Sequence, residues 1–367
     1  MPSPQIRRLL QPVSWLYGIG VGFRNILFNL GILKSEKYEV PVICVGNITV
    51  GGTGKTPHIE YLIELLSENY KVGVVSRGYK RKSKGYREVY MDSLPEEVGD
   101  EPLQIKKKFP HSFVVVDRNR RNAIRRMLSF GEGRRPDVIL LDDGFQHRYV
   151  SPSMSILLVD SNRPVYEDKL LPAGYLREPL KAKHRASIVL VTKCPKDMKP
   201  IDRRIYEENL NLFVYQKIYF TSFDYGKLNP VFPEEETMVK LDLNKLKFKF
   251  IYLVTGIAQP QPLLEKMKEY SDNVEANFYP DHYFFKQSDI EKMTSDIKRI
   301  SVSNENVIIV TTEKDATRLR TFSSTIDIEL KKKFYYIPIE VIFDREEDQY
   351  IFNKKIIKHV RNYQTNG

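Results

Sequence analysis

The stretch Pro41–Pro57, PVICVGNITVGGTGKTP, constrains the fold more than any other part of the chain. An apolar, β-branched run, Val40–Gly46, gives way to Gly51, Gly52 and Gly54 and then to Lys55-Thr56-Pro57. The first part reads as a strand covered on both faces and the glycines free the backbone for a tight bend. Pro57 suits the first turn of a helix, where its missing N–H costs nothing. Strand, glycine-rich turn, helix is the frame of a phosphate-binding loop. Backbone N–H groups of Thr49, Val50, Gly51, Gly52, Thr53 and Gly54 would cradle phosphate, Lys55 would reach the β/γ oxygens and Thr56 would hold Mg²⁺. The full spacing G-x-x-x-x-G-K-[ST] requires glycine at position 49, where this chain has Thr49. On the pattern alone, a glycine-rich turn without a ligand is the alternative.

The remaining apolar runs extend this frame. Val72–Ser76, Phe113–Asp117, Asp137–Leu141, Ile156–Asp160 and Ile188–Thr192 are near-continuous in hydrophobicity, which implies a parallel sheet with helices on each face. Phe213–Thr221 alternates and reads as an antiparallel or connecting strand, and residues 223–246, rich in Pro, Glu and Lys, read as a linker. Phe250–Thr255, Val307–Thr312 and Tyr335–Pro338 restart the rhythm. The sequence therefore predicts an α/β chain with a P-loop NTPase-like parallel core and a smaller C-terminal α/β lobe. The expected divisions are an N-terminal segment at 1–36, the core at 37–225 and the lobe at 226–367.

With 367 residues, 41% of them hydrophobic, the chain has the composition of a folded protein of two ordinary domains. Two cysteines at the ends of apolar runs, Cys44 and Cys194, exclude a disulfide framework and read as buried thiols. A formal charge of +11 points to an anionic partner, and the basic residues cluster at Arg77–Arg87, Arg118–Arg126 and Lys331–Lys333. No nucleic-acid recognition module accompanies them. Leu9–Leu33 is apolar and aromatic, but Arg24 interrupts it, so it is too short to span a bilayer. It reads either as an interfacial helix on a membrane or as a helix packed on the protein's own core.

Functional groups of a parallel sheet gather beyond the carboxyl ends of its strands. The run ending at Leu141 continues into Asp142-Asp143-Gly144-Phe145-Gln146-His147-Arg148, and a strand ending in Asp is the Mg²⁺ partner that a phosphate loop needs. Asp100, in Gly99-Asp100-Glu101-Pro102, reads on its own as a helix cap, and Asp281-His282 as a turn with a hydrogen-bonded histidine.

Eight segments together, in order along the chain, go beyond a generic phosphate loop: VGNITVGGTGKTP, SRGY at 76–79, GDEP at 99–102, DDGFQHR at 142–148, LLPAGYLREP at 170–179, TGIAQP at 255–260, PDHYFF at 280–285 and TTEKDA at 311–316. This set resembles the tetraacyldisaccharide 4′-kinase family of lipid A synthesis, which also lacks the first loop glycine. The resemblance implies transfer of the γ-phosphoryl of ATP, with Mg²⁺, to the 4′-hydroxyl of a tetraacylated disaccharide 1-phosphate. It places that reaction at the cytoplasmic leaflet of the bacterial inner membrane, and it moves residues 9–33 toward the interfacial reading.

Residue by residue, the resemblance makes Asp100 and His282 an acidic–histidine base pair, and Asp142 and Asp143, with Thr56, the Mg²⁺ set. Asn47, Arg77, Gln146, His147 and Glu178 match sugar and phosphate contacts, and one of Arg118, Arg120 and Arg121 joins them. Tyr283 stands where the family often has a second histidine, which leaves His282 alone in that role. Asp100 and His282 are expected in different lobes, so lobe closure would assemble them. Two rival classes fit poorly. A GTPase-like switch needs N-K-x-D, and Thr192-Lys193-Cys194-Pro195 lacks it; a nucleic-acid binder has only the charge in its favour.

Overall fold

The apolar runs become strands in a computed structural model that describes residues 4–233, 240–247, 249–281, 283–304 and 306–365. In chain order the strands are β1 (Val42–Gly46), β2 (Val72–Ser76), β3 (Arg87–Glu88), β4 (Phe113–Val116), β5 (Val138–Asp142), β6 (Met154–Asp160) and β7 (Ile188–Thr192). They continue with β8 (Lys217–Tyr225), β9 (Asn229–Pro230), β10 (Phe250–Thr255), β11 (Val274–Phe278), β12 (Val307–Thr312), β13 (Phe334–Ile337) and β14 (Ile339–Phe343). One sheet has the order β14-β8-β7-β6-β1-β5-β2-β4-β3, the other β11-β10-β12-β13-β9.

From β4 through β2, β5, β1, β6 and β7 to β8 every pairing is parallel, and β3, at the edge, is antiparallel to β4. Every residue of β1, β2, β5, β6 and β7 is buried, which is why these runs lack alternation. The helix Lys55–Ser67 lays Ile59, Leu62, Ile63 and Leu66 into this core. That is the i, i+3, i+4, i+7 stripe of an amphipathic helix, and each such side chain contributes about 1.5–3 kcal/mol by burial. Phe213–Thr221 departs from expectation. Its second half belongs to β8, which runs parallel to β7, and the alternation marks a strand buried only in its middle.

The chain divides into two compact units. One comprises Met1–Ser93, Ile105–Phe223 and Val341–Gly367; the other comprises Leu94–Gln104 and Asp224–Glu340. Two segments therefore lie elsewhere than composition indicated. The helix Glu346–Thr365 buries Phe352, Ile356 and Val360 in the first unit, where Tyr61 Oη donates to Asn353 Oδ1 at 2.7 Å. Asp100, expected in the core, belongs to the second unit, where it is ion-paired with Arg318. In that unit β9 runs antiparallel to β13 and the other pairings are parallel. Helix Gln287–Ser301 covers it with Ile290, Met293, Ile297 and Ile300.

The N-terminal helix, Pro4–Asn29, packs on the protein along one face, as one of the two readings of its sequence expects. One face docks on the first unit: Tyr17 Oη donates to Arg177 O at 2.8 Å, Ser14 Oγ accepts from Ala173 N at 2.9 Å, and Phe28 meets Tyr149 edge-on. Elsewhere Leu9, Trp15, Leu16, Ile19 and Phe23 are exposed. Among the described residues no helix is long and apolar enough to cross a membrane.

Candidate functional site

The loop after β1 is shaped by two glycines with different duties. Gly54, at φ +80°, caps the helix Lys55–Ser67, and an added Cβ would come within 2.4 Å of the Phe223 ring. Its lack of a side chain is thus required by the fold itself. Gly52 has no such need: its φ is not positive and nothing lies within 4 Å of where a Cβ would be. The space over it is open, at a helix N-terminus that attracts anions. Asn47, wholly buried, closes the loop by donating from Nδ2 to Thr53 Oγ1 at 2.8 Å.

Neighbouring strand ends brace this loop. Lys193 Nζ donates to Gly52 O at 2.6 Å and to Asp160 Oδ2 at 2.7 Å, and Thr192 Oγ1 donates to Thr53 O at 3.0 Å. The segment 170–179 runs alongside, with Val50 N donating to Tyr175 O at 2.8 Å and Arg177 N to Ile48 O at 2.7 Å. Sequence reading missed Asp160, Thr192 and Lys193. Their only signal was position, since Asp160 and Thr192 end buried strands of a parallel sheet and Lys193 follows one directly.

The acidic pair sits where the sheet places it. Asp142 lies beside Val45 in the β1–β5 register, and its Oδ2 accepts from Ser76 Oγ at 2.8 Å. Asp143 follows at φ +46°, a conformation rare for a side-chain-bearing residue. Its Oδ1 is 3.6 Å from Lys55 Nζ and its Oδ2 is 3.2 Å from Arg177 Nη1. Burial works against its charge, but Lys55, Arg177 and Arg120 outweigh that and hold its carboxyl below the ordinary carboxylate range. Thr56, Asp142 and Asp143 offer only hard oxygens, the donors Mg²⁺ prefers; one or two carboxylates with substrate phosphates are its usual set. The residues fit the ion.

A basic cluster adjoins the acidic pair. Burial, then Arg120, Arg121, Arg24 and Arg77, push the His147 imidazole down to about 4, so it is neutral near pH 7. Among the described residues His147 Nε2 has no hydrogen-bond partner. Gln146 Nε2 donates to Asn47 O at 2.6 Å, joining the DDGFQHR segment to the loop. Glu178 is occupied differently. Its carboxylate takes a bidentate pair from Arg185 at 2.8 and 2.9 Å and accepts from Asn25 Nδ2 at 3.2 Å, tying the N-terminal helix to this segment.

In the second unit Asp100 Oδ2 accepts from Arg318 Nη2. Arg318 Nη1 donates to Tyr283 O at 3.0 Å and to Asp315 Oδ1 at 3.2 Å. Asp315, with no exposed surface, accepts at Oδ2 from Thr255 Oγ1, Gly256 N and Thr312 Oγ1 at 3.1, 2.9 and 2.8 Å. His282 lies outside the described residues.

The parallel sheet, the loop over Gly52 and the acidic pair on the neighbouring strand define a P-loop α/β protein of the nucleotide-binding class. The family described as Tetraacyldisaccharide-1-P 4′-kinase matches residues 6–358. The chain is similar to the tetraacyldisaccharide 4′-kinase of Bacteroides thetaiotaomicron, 49% identical over 97% of this chain and 94% of that one. It is also similar to that of Flavobacterium psychrophilum, 41% identical over 99% of both. A solved structure of LpxK from Aquifex aeolicus in complex with ATP superimposes with a TM-score of 0.72 at 30% identity, covering 97% of this chain and 99% of the other. The chain belongs to the tetraacyldisaccharide-1-P 4′-kinase family.

Proposed function

We propose that this chain transfers the γ-phosphoryl group of ATP to the 4′-hydroxyl of a tetraacyldisaccharide 1-phosphate, giving lipid IVA in lipid A biosynthesis. The observation that carries the nucleotide half is Lys55 set against Asp143 beside the open space over Gly52. The names of relatives that span nearly the whole chain support the lipid half.

Phosphoryl transfer needs alignment and charge neutralisation more than covalent catalysis. Residues 49–54 hold the β- and γ-phosphates by backbone N–H groups, and Lys55 leaves Asp143 to meet their oxygens. Thr56, Asp142 and Asp143 would hold Mg²⁺, which when bound would neutralise charge on the phosphates. The 4′-oxygen bonds to the γ-phosphorus as the bond to the ADP oxygen breaks, and the hydroxyl proton passes to the Asp100 carboxylate, aided by His282. Asn47, Arg77, Gln146 and His147 orient the sugar and its 1-phosphate. His147, neutral among arginines, contributes a hydrogen bond rather than charge. Glu178 acts on the substrate through Arg185 and Asn25, whose groups it holds.

The enzyme works peripherally at the cytoplasmic leaflet of the inner membrane, with Trp15, Leu16, Ile19 and Phe23 of the N-terminal helix in the interface. Purified protein incubated with ATP, Mg²⁺ and the disaccharide 1-phosphate in detergent micelles yields a 4′-phosphorylated lipid. Its absence overturns the proposal.

A further inference from the structure

The TTEKDA segment, unassigned by the mechanism, contributes Asp315 to a buried charge network of the second unit. Asp315 is locked by three donors from two strand ends, Thr255 at the end of β10 with Gly256 after it, and Thr312 at the end of β12. With one carboxylate oxygen so fixed, its other orients Arg318, which is 3% exposed. The guanidinium then reaches Tyr283 O and Asp100, and its face lies 5.6 Å from the Phe284 ring centre. One planar fork thereby joins three distant segments, 99–102, 280–285 and 311–318, two of which contain the proposed base pair.

We propose that Arg318, held by Asp315, is a positioning residue for Asp100. The inference rests on Asp100 being the base. Arg318 fixes the direction of the Asp100 carboxylate and anchors the peptide carbonyl of Tyr283, the residue that follows His282 in the chain. A lysine cannot serve equally, because an ammonium is a point charge whereas the guanidinium presents donors in a fixed plane. Among the described residues, Glu101, Asp281 and Lys314 also bear charge near this network.

The test is steady-state kinetics of Arg318→Gln, Arg318→Lys and Asp315→Asn, each alone and with Asp100→Asn, over pH 5–9, with folding checked by circular dichroism. Arg318→Gln should lower kcat about 10–100-fold with the KM for ATP nearly unchanged, since a small misplacement of a reacting group costs on that order. The acidic limb of its pH–kcat profile should move up by about one unit, because an adjacent guanidinium favours the ionised carboxylate. Arg318→Lys and Asp315→Asn, milder changes, should give intermediate losses and shifts. In the Asp100→Asn background the added loss should vanish. Full additivity there, or an unmoved acidic limb in folded Arg318 variants, overturns the proposal. If Asp100→Asn alone turns over normally, the base reading itself fails and this inference falls with it. Loss in Asp100→Asn with wild-type behaviour in the Arg318 variants refutes only the positioning role.

Discussion

Lys55 and Asp143 stand 3.6 Å apart, Nζ to Oδ1, at the junction of the glycine loop and the end of β5. Each residue that phosphate and metal would engage is the other's partner without them. Binding of phosphate and cation there would exchange this ion pair for contacts to both, so that neither charge is left buried without a partner.

Lys55→Met and Asp143→Asn should each lower kcat by at least about 100-fold, the usual cost of removing a charge-stabilising group from a transition state. Product formation at saturating ATP and lipid measures it. Activity within a few-fold of wild type for either variant would remove these residues from the site.

Gly54→Ala and Gly52→Ala should separate fold from ligand. The first faces a left-handed backbone and the Phe223 ring, at costs of about 1–2 and about 1–3 kcal/mol respectively. Its melting temperature should drop. The second meets open space, so its melting temperature should hold while affinity for ATP falls, as seen by calorimetric titration. Equal ATP affinity in folded Gly52→Ala would mean that the open space is not the phosphate seat.

Lys193→Met removes charge-assisted hydrogen bonds to Gly52 O and Asp160 from outside the sequence motif. Such a bond is worth about 1.5–3 kcal/mol, so the KM for ATP should rise roughly tenfold or more. Lipid KM should move little; a selective change in lipid KM would contradict the bracing role.

His58 gives the fold a pH dependence. It is buried, with Nδ1 donating to Gly54 O at 2.7 Å and Nε2 3.2 Å from Thr221 Oγ1. Burial pushes its imidazole from 6.5 down to about 4. Between those values the unfolded chain takes up a proton that the folded protein refuses. Stability from this group is therefore constant above pH 6.5 and declines as pH falls toward 4, by up to about 3 kcal/mol. Urea unfolding of wild type and His58→Gln should show a flatter dependence in the variant over that window.

Charged substitutions at Leu16 and Phe23, both exposed, should leave the melting temperature unchanged and reduce co-sedimentation with anionic lipid vesicles. Undiminished sedimentation would move the membrane contact elsewhere.

The sequence by itself determined the parallel core, the loop and the acidic pair. All three depend on neighbours in the chain: runs of β-branched residues, glycines at a bend, and a carboxylate at the residue that ends a strand. It also carried enough motif to place the chain in its family. Only tertiary structure decided that Asp100 belongs with residues 224–340 and that the helix Glu346–Thr365 returns to the first unit. The same holds for Lys193 and Thr192, which brace the loop, and for Glu178, which is held by Arg185. Glu178 and Arg185 are seven residues apart, and the other pairings span more than a hundred. They follow from which strand ends the sheet order sets side by side and which buried charges must find a partner, and local patterning contains neither.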